Sequence, residues 1–360
     1  MRIGIPKEIK DSECRVGMTP AGVEELVRAG HTVRVEMGAG IGSSIPDSEY
    51  AHAGAVLVAS ASEAWDADLV VKVKEPLPSE FDFLHPQLTL FTYLHLASQL
   101  QLVGELQQRG VRAIGYETVQ LDNGALPLLA PMSQVAGKMA TQIGATLLQH
   151  DHGGRGILLG GVAGTAHGRV VILGGGHVGL NAAKIANGLG AQVMVADTNP
   201  SRLVYIDDIF HGKVITMVPT RRHIHELLAD CDLLIGAALM AGARTPQVIE
   251  RAMLRNMKPG SVLVDVSIDQ GGIAETSRPT SLSNPTYVEE GIIHYCVTNI
   301  PGCVPATSTS ALTSATLPYV LKLATQGVEA ALASDAALGR GLNIEAGAIR
   351  HPAVARAVAG

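Results

Sequence analysis

The chain lacks a surplus of positive charge, a long uninterrupted apolar run and closely spaced cysteines, and each absence removes a class of function. With 27 Lys and Arg against 33 Asp and Glu, its formal net charge is -6, so it carries no basic footprint for nucleic acid. Its most apolar stretches are broken by Arg155, Arg169, His177 and many glycines, and none approaches the ~20 residues of a membrane span. The opening MRIGIPKEIK has no apolar core behind its basic residues and does not read as a secretory signal. The four cysteines, Cys14, Cys231, Cys296 and Cys303, lie far apart or in strand-like text, which points to free thiols and the cytoplasm rather than a disulfide framework. The histidines of HDH at His150 and HIH at His223 are spaced like surface residues rather than zinc ligands, and no metal is expected. There is also no internal repeat and no low-complexity tract.

What is present is α/β text. At 360 residues with 47% hydrophobic composition, the chain exceeds the roughly 250–300 residues at which single cores stop growing, so two domains are expected. Short β-branched runs alternate with helical patterns: RIGIP, TPAGVEELVRAG, HTVRVEMG, a weaker helix near Asp47, DLVVKVK, LTLFTYLH, SQLQLVGELQQRG and VRAIGYETV. Thr19, Pro20 and Gly30 punctuate the first helix as N-cap, first helical residue and terminator. A long helical pattern, MSQVAGKMATQIGATLLQH, leads to a second α/β series from Arg169 to about Val297, and NIPGCVPATSTS then opens an apolar helical tail. The expected organisation is a substrate domain of residues 1–128 plus 306–360, with a nucleotide-binding domain of residues 129–305 inserted into it. The two series have the character of distant copies of one topology.

Within VVILGGGHVGLNAAKIANGLGAQVMVAD, the residues Gly174, Gly176 and Gly179 fit the spacing G-x-G-x-x-G. The first glycine permits a sharp turn, the second a close approach of pyrophosphate, and the third tight packing of helix on strand. Helix N-terminal N–H groups and the helix dipole then favour the phosphates. Alone, such a triplet in a chain with 40 glycines could be a structural turn. Here a strand precedes it, a helix follows, and Asp197 stands 23 positions after Gly174, near the ~20 expected for the acid that binds the adenosine ribose. A carboxylate accepts from a 2′-hydroxyl and repels a 2′-phosphate, which selects NAD over NADP. Arg202 nearby is either a further contact or a solvated residue on the next turn.

Lys74, His95 and Glu117 fall where strands of the first series end, and Arg15 lies in the loop after the first strand. Ligands of open parallel sheets collect at that edge. Arg15 and Lys74 suit a substrate carboxylate, with arginine able to offer two parallel hydrogen bonds. His95 is the natural proton carrier, its bland alternative being a core histidine on an apolar strand. Glu117 reads as structural, orienting a neighbour. In the second series Asp269 is placed at a strand end before two glycines, with a turn aspartate as the alternative, and Asn299 is placed at the next such edge, where an amide can serve a nicotinamide.

Taken together, RIGIPKEIK, ECRVGMTP, VKVKEPLP, LFTYLHLA, YETV, LPLLAPMSQVAG, GGRGILLGG, VVILGGGHVG, VDVSIDQGG and TLPYVLKLA resemble the alanine dehydrogenase family nearly end to end. The resemblance implies two Rossmann-like domains, each a doubly wound parallel sheet, with the active site in an interdomain cleft. It implies a homohexamer and the reversible oxidative deamination of L-alanine to pyruvate and ammonium with NAD. Matching positions imply Arg15 and Lys74 for the substrate carboxylate, and His95 and Asp269 as catalytic residues. For NAD they imply Ser133, Val178, Asp197, Arg202, Leu239, Met240, Ile268, Arg278, Thr298, Asn299, Ile300 and Pro301. Cys14 stands where the family often has phenylalanine, Ile300 where methionine is frequent, and VAGTAHG replaces a more proline-rich loop. Two other readings share much of this text: the NAD-binding component of a proton-pumping transhydrogenase, and a catalytically silent NAD-sensing module.

Overall fold

The computed structural model describes residues 1–238 and 245–359. They divide into two compact units, Met1–Met132 with Val304–Gly360, and Ser133–Cys303. The first unit is thus built from both ends of the chain.

Its strands are β1 (Arg2–Ile5), β2 (Thr32–Glu36), β3 (Val56–Val58), β4 (Leu69–Val71), β5 (Thr89–Thr92) and β6 (Arg112–Gly115). The second unit contributes β7 (Arg169–Leu173), β8 (Gln192–Ala196), β9 (Val214–Met217), β10 (Leu233–Gly236), β11 (Val262–Asp265), β12 (Thr286–Glu289) and β13 (Ile292–Tyr295). The chain then returns to the first unit with β14 (Leu342–Glu345) and β15 (Ala348–Ile349).

In the first sheet the order is β15-β14-β6-β5-β4-β1-β2-β3, and in the second β12-β13-β11-β10-β7-β8-β9. Counting strands from the start of each unit, the first contains the order 3-2-1-4-5-6 and the second 3-2-1-4-5-7-6, its seventh strand β13 taking the sixth place of the parallel array, the arrangement of a dinucleotide-binding fold. The two series therefore do repeat one topology. Neither sheet is purely parallel, as the sequence reading had it: β14 and β15 add antiparallel to β6 and to each other, and β12 adds antiparallel to β13. These additions lie toward sheet edges: short returns of the chain make the antiparallel pairs β12–β13 and β14–β15 accessible, whereas β14 meets β6 from the far end of the sequence.

The central strands are apolar throughout because both faces of the sheet are covered. Along β7, Val170 and Ile172 enter one core cluster, while Val171 and Leu173 enter the cluster on the opposite face. Strands β10 and β11 divide in the same way, with Leu234 and Leu263 alternating against their neighbours. In the first unit, β4 and β5 are buried at every residue. Helix starts follow the expected chemistry. Thr19 accepts from the Gly22 amide at 3.4 Å ahead of Pro20, and Ser60 with Glu63 forms a reciprocal capping box, which satisfies amides that have no helical partner.

Candidate active site

Where the strand order reverses, adjacent strands send their following loops to opposite sides and leave a crevice at their carboxyl ends. In the first unit this point lies between β1 and β4. The loop after β1 carries Glu8, Glu13 and Arg15, and the exit of β4 carries Lys74. Next along the edge, β5 leads to His95 and β6 to Glu117. The four polar residues read from strand ends thus occupy one edge of one parallel sheet.

Two lysines leave β4 on the same face, and their environments separate them. Lys72 is fully buried and paired to Glu80 at 2.8 Å and Glu8 at 3.2 Å, so its charge is consumed within the fold. Lys74 is only 7% exposed, yet among the described residues its ammonium meets no carboxylate within salt-bridge distance. Burial, then the neighbouring charges of Arg15 and Lys10, hold its pKa below the ordinary lysine value. A buried, repelled ammonium favours whatever anion reaches it.

Arg15 requires a correction. It is 2% exposed, and its planar fork is already engaged: Nε donates to Glu13 Oε1 at 2.7 Å and Nη2 to Glu13 Oε2 at 2.5 Å. Burial lowers its pKa, but the bonds and charge of Glu13 outweigh that, and the net direction is upward. The two-bond clamp expected for the substrate is thus spent on a residue two positions away. Nη1 is directed to Met132 Sδ at 3.2 Å.

His95 stands in the left-handed region, φ 49 and ψ 36, which costs a non-glycine residue about 1–2 kcal/mol. Its ring is stacked on Tyr93 with centroids 5.9 Å apart and planes 11° apart, and Tyr93 is anchored by its hydroxyl to the Leu128 carbonyl at 2.6 Å. It is half-buried on a loop turn rather than a core histidine on a strand.

Acidic residues do the positioning, and sequence reasoning missed most of them. Glu8 Oε1 accepts from the Val73 amide at 2.6 Å and the Lys74 amide at 3.3 Å, capping the end of β4. Burial raises the pKa of Glu8, with Lys72 opposing. Glu117 accepts from the amides of Leu94 and His95. The signal that was legible is an acid in each strand-exit loop, but its partner is chosen through space.

In the second unit the equivalent reversal lies between β7 and β10, and it is occupied by the glycine turn. Gly174 has φ +105, and a Cβ there would stand 2.5 Å from the Ala237 carbonyl oxygen. A Cβ at Gly179 would stand 1.8 Å from the Gly174 oxygen. At Gly176, by contrast, nothing lies within 4 Å of the Cβ position, so that residue faces open space where a ligand would come close. Gly176 is the N-cap of the helix His177–Gly188 and offers no side-chain cap, which leaves the amides of its first turn, including Val178, for an anion. Asp197 accepts from Gly175 N at 2.6 Å and Asn199 N at 2.8 Å. Each oxygen keeps a lone pair for ribose hydroxyls. Arg202 is not a merely solvated residue: it donates to the Gly175 and Gly176 carbonyls and lies 4.8 Å from the centroid of Tyr205. These residues fit a dinucleotide.

The remaining expected contacts divide. Ser133 is half-buried near the start of the helix Ala130–Leu147. Arg278 is exposed, its guanidinium 3.9 Å from the Tyr287 ring centroid. Thr298 is exposed and Asn299 and Pro301 half-buried, whereas Ile268 and Ile300 are buried, at 3% and 2% exposure. Leu239 and Met240 lie outside the described residues. Asp269 is not at a strand end: β11 stops at Asp265, and Asp269 is exposed on the following 3-10 turn Val266–Gln270. The strand-end acid is Asp265, fully buried and bonded to Ser267 N, Ile273 N and Ser277 Oγ. Asn299 likewise stands four residues past the end of β13. Among the described residues no group of His, Cys, Asp or Glu is arranged to hold a metal ion, and no helix is long and apolar enough to cross a membrane.

A phosphate-shaped glycine turn on one Rossmann-like sheet, with an unpaired buried ammonium and a strand-end imidazole on a second, defines the class of nicotinamide-dependent dehydrogenases. The comparisons narrow the class. Residues 4–136 match the model of the alanine dehydrogenase/PNT N-terminal domain, and residues 140–352 that of the alanine dehydrogenase/PNT C-terminal domain. Alanine dehydrogenase 2 of Staphylococcus aureus is 51% identical over 358 residues, covering 99% of this chain and 96% of that protein. Alanine dehydrogenase of Staphylococcus epidermidis is 51% identical with the same coverage. A solved L-alanine dehydrogenase superposes with a TM-score of 0.96 at 51% identity over 99% of both chains. The chain belongs to the alanine dehydrogenase/PNT family. A transhydrogenase from Sinorhizobium meliloti, at 24% identity and a TM-score of 0.84 over 98% of this chain and all of its own, shares the fold.

Proposed function

We propose that the chain is an alanine dehydrogenase, catalysing the reversible, NAD-dependent oxidative deamination of L-alanine to pyruvate and ammonium. One observation carries the choice within the family. The first unit keeps a buried ammonium, Lys74, beside Arg15, and among the described residues no carboxylate lies within salt-bridge distance of it, as a site for a small carboxylic acid requires. A component that only passes hydride between nucleotides has no use for it.

NAD is held by the glycine turn through Gly174, Gly176, Val178 and Gly179, by Asp197 and Arg202, and by Ser133, Ile268, Arg278 and the segment 298–301, with Leu239 and Met240 completing the set. When bound, NAD supplies the hydride acceptor. Lys74 and Arg15 bind the substrate carboxylate and thereby fix the face of its Cα, a positioning effect that contributes several kcal/mol. His95 takes a proton from the attacking water through a ring nitrogen and returns one to the departing amine nitrogen. Asp269 stabilises positive charge at the substrate nitrogen and orients the water. Residues 1–128 with 306–360 serve as the substrate domain and residues 129–305 as the NAD domain. A homohexamer completes the reading on the family resemblance, and the four free cysteines fit the cytoplasm.

The test is direct. L-Alanine and NAD at alkaline pH should generate NADH absorbance, and pyruvate with ammonium should consume it. No turnover in either direction, with tight NADH binding retained, would overturn the reading in favour of a transhydrogenase component.

A further inference from the structure

The backbone of His95 is held in a conformation it would not choose. Its φ of 49 is left-handed, and the residue is neither glycine nor asparagine. Beyond the end of β5 the amides of Leu94 and His95 have no strand partner, and both are taken by one side chain. Glu117 Oε1 accepts from His95 N at 2.7 Å and from Leu94 N at 3.1 Å, while Oε2 accepts from Leu94 N at 3.2 Å. Glu117 rides on the 3-10 turn Tyr116–Thr118 at the exit of β6. That turn is braced from the far end of the chain: Asn343, 1% exposed, donates through Nδ2 to Thr118 Oγ1 at 2.7 Å. A charged acceptor on two otherwise unpaired amides is the strong form of such a bond.

We propose that Glu117 is a positioning residue for the reaction: it locks the left-handed turn that presents the His95 ring. The inference rests on the proton-carrier role given to His95 above. Other groups also surround the imidazole. Lys74 and Glu75 stand at the end of β4, and Glu75 senses the histidine charge. His351 and Arg356 belong to the C-terminal segment that packs on the turn Leu96–Ser98. Glu117 is distinguished from all of them by bonding the histidine's own amide.

Two substitutions test it. Glu117→Gln places an amide N–H against a backbone N–H and removes the charge. It should lower kcat about 10- to 100-fold, the scale of a misplaced catalytic group. Because Glu117 bonds the histidine backbone and not the substrate, KM for alanine should change far less than kcat. Glu117→Asp keeps the charge but shortens the reach: kcat should fall here too, again with KM for alanine little changed. NADH binding, followed by fluorescence, should stay within about twofold in both. Should the glutamine variant fail to fold, the aspartate variant decides, and a kcat within twofold of the parent overturns the proposal. A folded glutamine variant with kcat within twofold of the parent overturns it equally. In either case a parent enzyme that turns over alanine leaves the functional reading intact. A parent that does not turn over alanine removes both.

Discussion

Replacing Lys74 with methionine should improve the fold and ruin the enzyme. The two side chains have similar length, so the change removes a charge without opening a large void. In the substrate-free protein that charge is a liability: it is 7% exposed, it faces Arg15 and Lys10, and its pKa lies below the ordinary lysine value. The fold therefore binds this proton less readily than the unfolded chain does. The destabilisation is full at pH values below the folded pKa and disappears as pH rises to the unfolded value, near 10.4. Lys74→Met should raise the Tm at neutral pH, and the advantage should shrink as the pH is taken toward about 10.5. The cost falls on the substrate. Losing one partner of a buried charge pair costs roughly 2–4 kcal/mol, and at about 1.36 kcal/mol per tenfold this is roughly a 30- to 900-fold fall in kcat/KM for alanine. Arg15 cannot compensate, because Glu13 already occupies its fork. Steady-state kinetics for alanine and pyruvate, with thermal melts across pH, give both numbers. A kcat/KM within threefold of the parent, or a lower Tm at pH 7, would refute the account of Lys74 as an unpaired substrate cation.

Further outcomes follow from the same geometry. His95→Ala should cut turnover about 10²- to 10⁴-fold, the usual worth of a general acid–base, while NADH binding measured by fluorescence is nearly unchanged; a parallel loss of both would mean that its role is structural. In Gly179→Ala the new Cβ meets the Gly174 carbonyl oxygen at 1.8 Å, so denaturation should show a loss of about 1–3 kcal/mol and calorimetry a much weaker NADH affinity. Intact affinity there would show that the turn is not the phosphate cradle. Asp197→Ser removes the carboxylate that repels a 2′-phosphate, and the ratio of kcat/KM for NADP to that for NAD should rise. Because Asp197 also holds Gly175 N at 2.6 Å, the absolute rate with NAD should fall as well.

The parts of this molecule that were legible in its sequence are those written in local pattern. β-Branched runs ending in a polar residue put Lys74, His95 and Glu117 at strand exits, and a strand, three spaced glycines and a distal acid located the nucleotide turn without any partner being known. What pattern could not convey is pairing through space. Arg15 carries the donors of a carboxylate clamp, and only the fold reveals that Glu13 takes them. Lys72 and Lys74 are equivalent in alternating text, and only the fold neutralises the first with Glu8 and Glu80. Asp265 and Asp269 both follow an apolar strand, and the 3-10 turn that separates a buried turn anchor from an exposed candidate acid has no period to read. The antiparallel edge strands escaped for a related reason: β14 is four residues long, and its partner β6 lies more than two hundred positions earlier.

That last pairing bears on how the molecule is made. Ribosomes deliver the chain from its amino end, at roughly 5–20 residues per second, so β6 emerges long before β14 exists to cover it. Until residues 342–345 arrive and hydrogen-bond to it, β6 is a bare edge open to wrong neighbours, and the bracing amide of Asn343 is missing from the turn that carries Glu117. The intervening unit can mature while its host waits. A nascent polypeptide of this design completes the turn that carries Glu117 among its last acts of assembly.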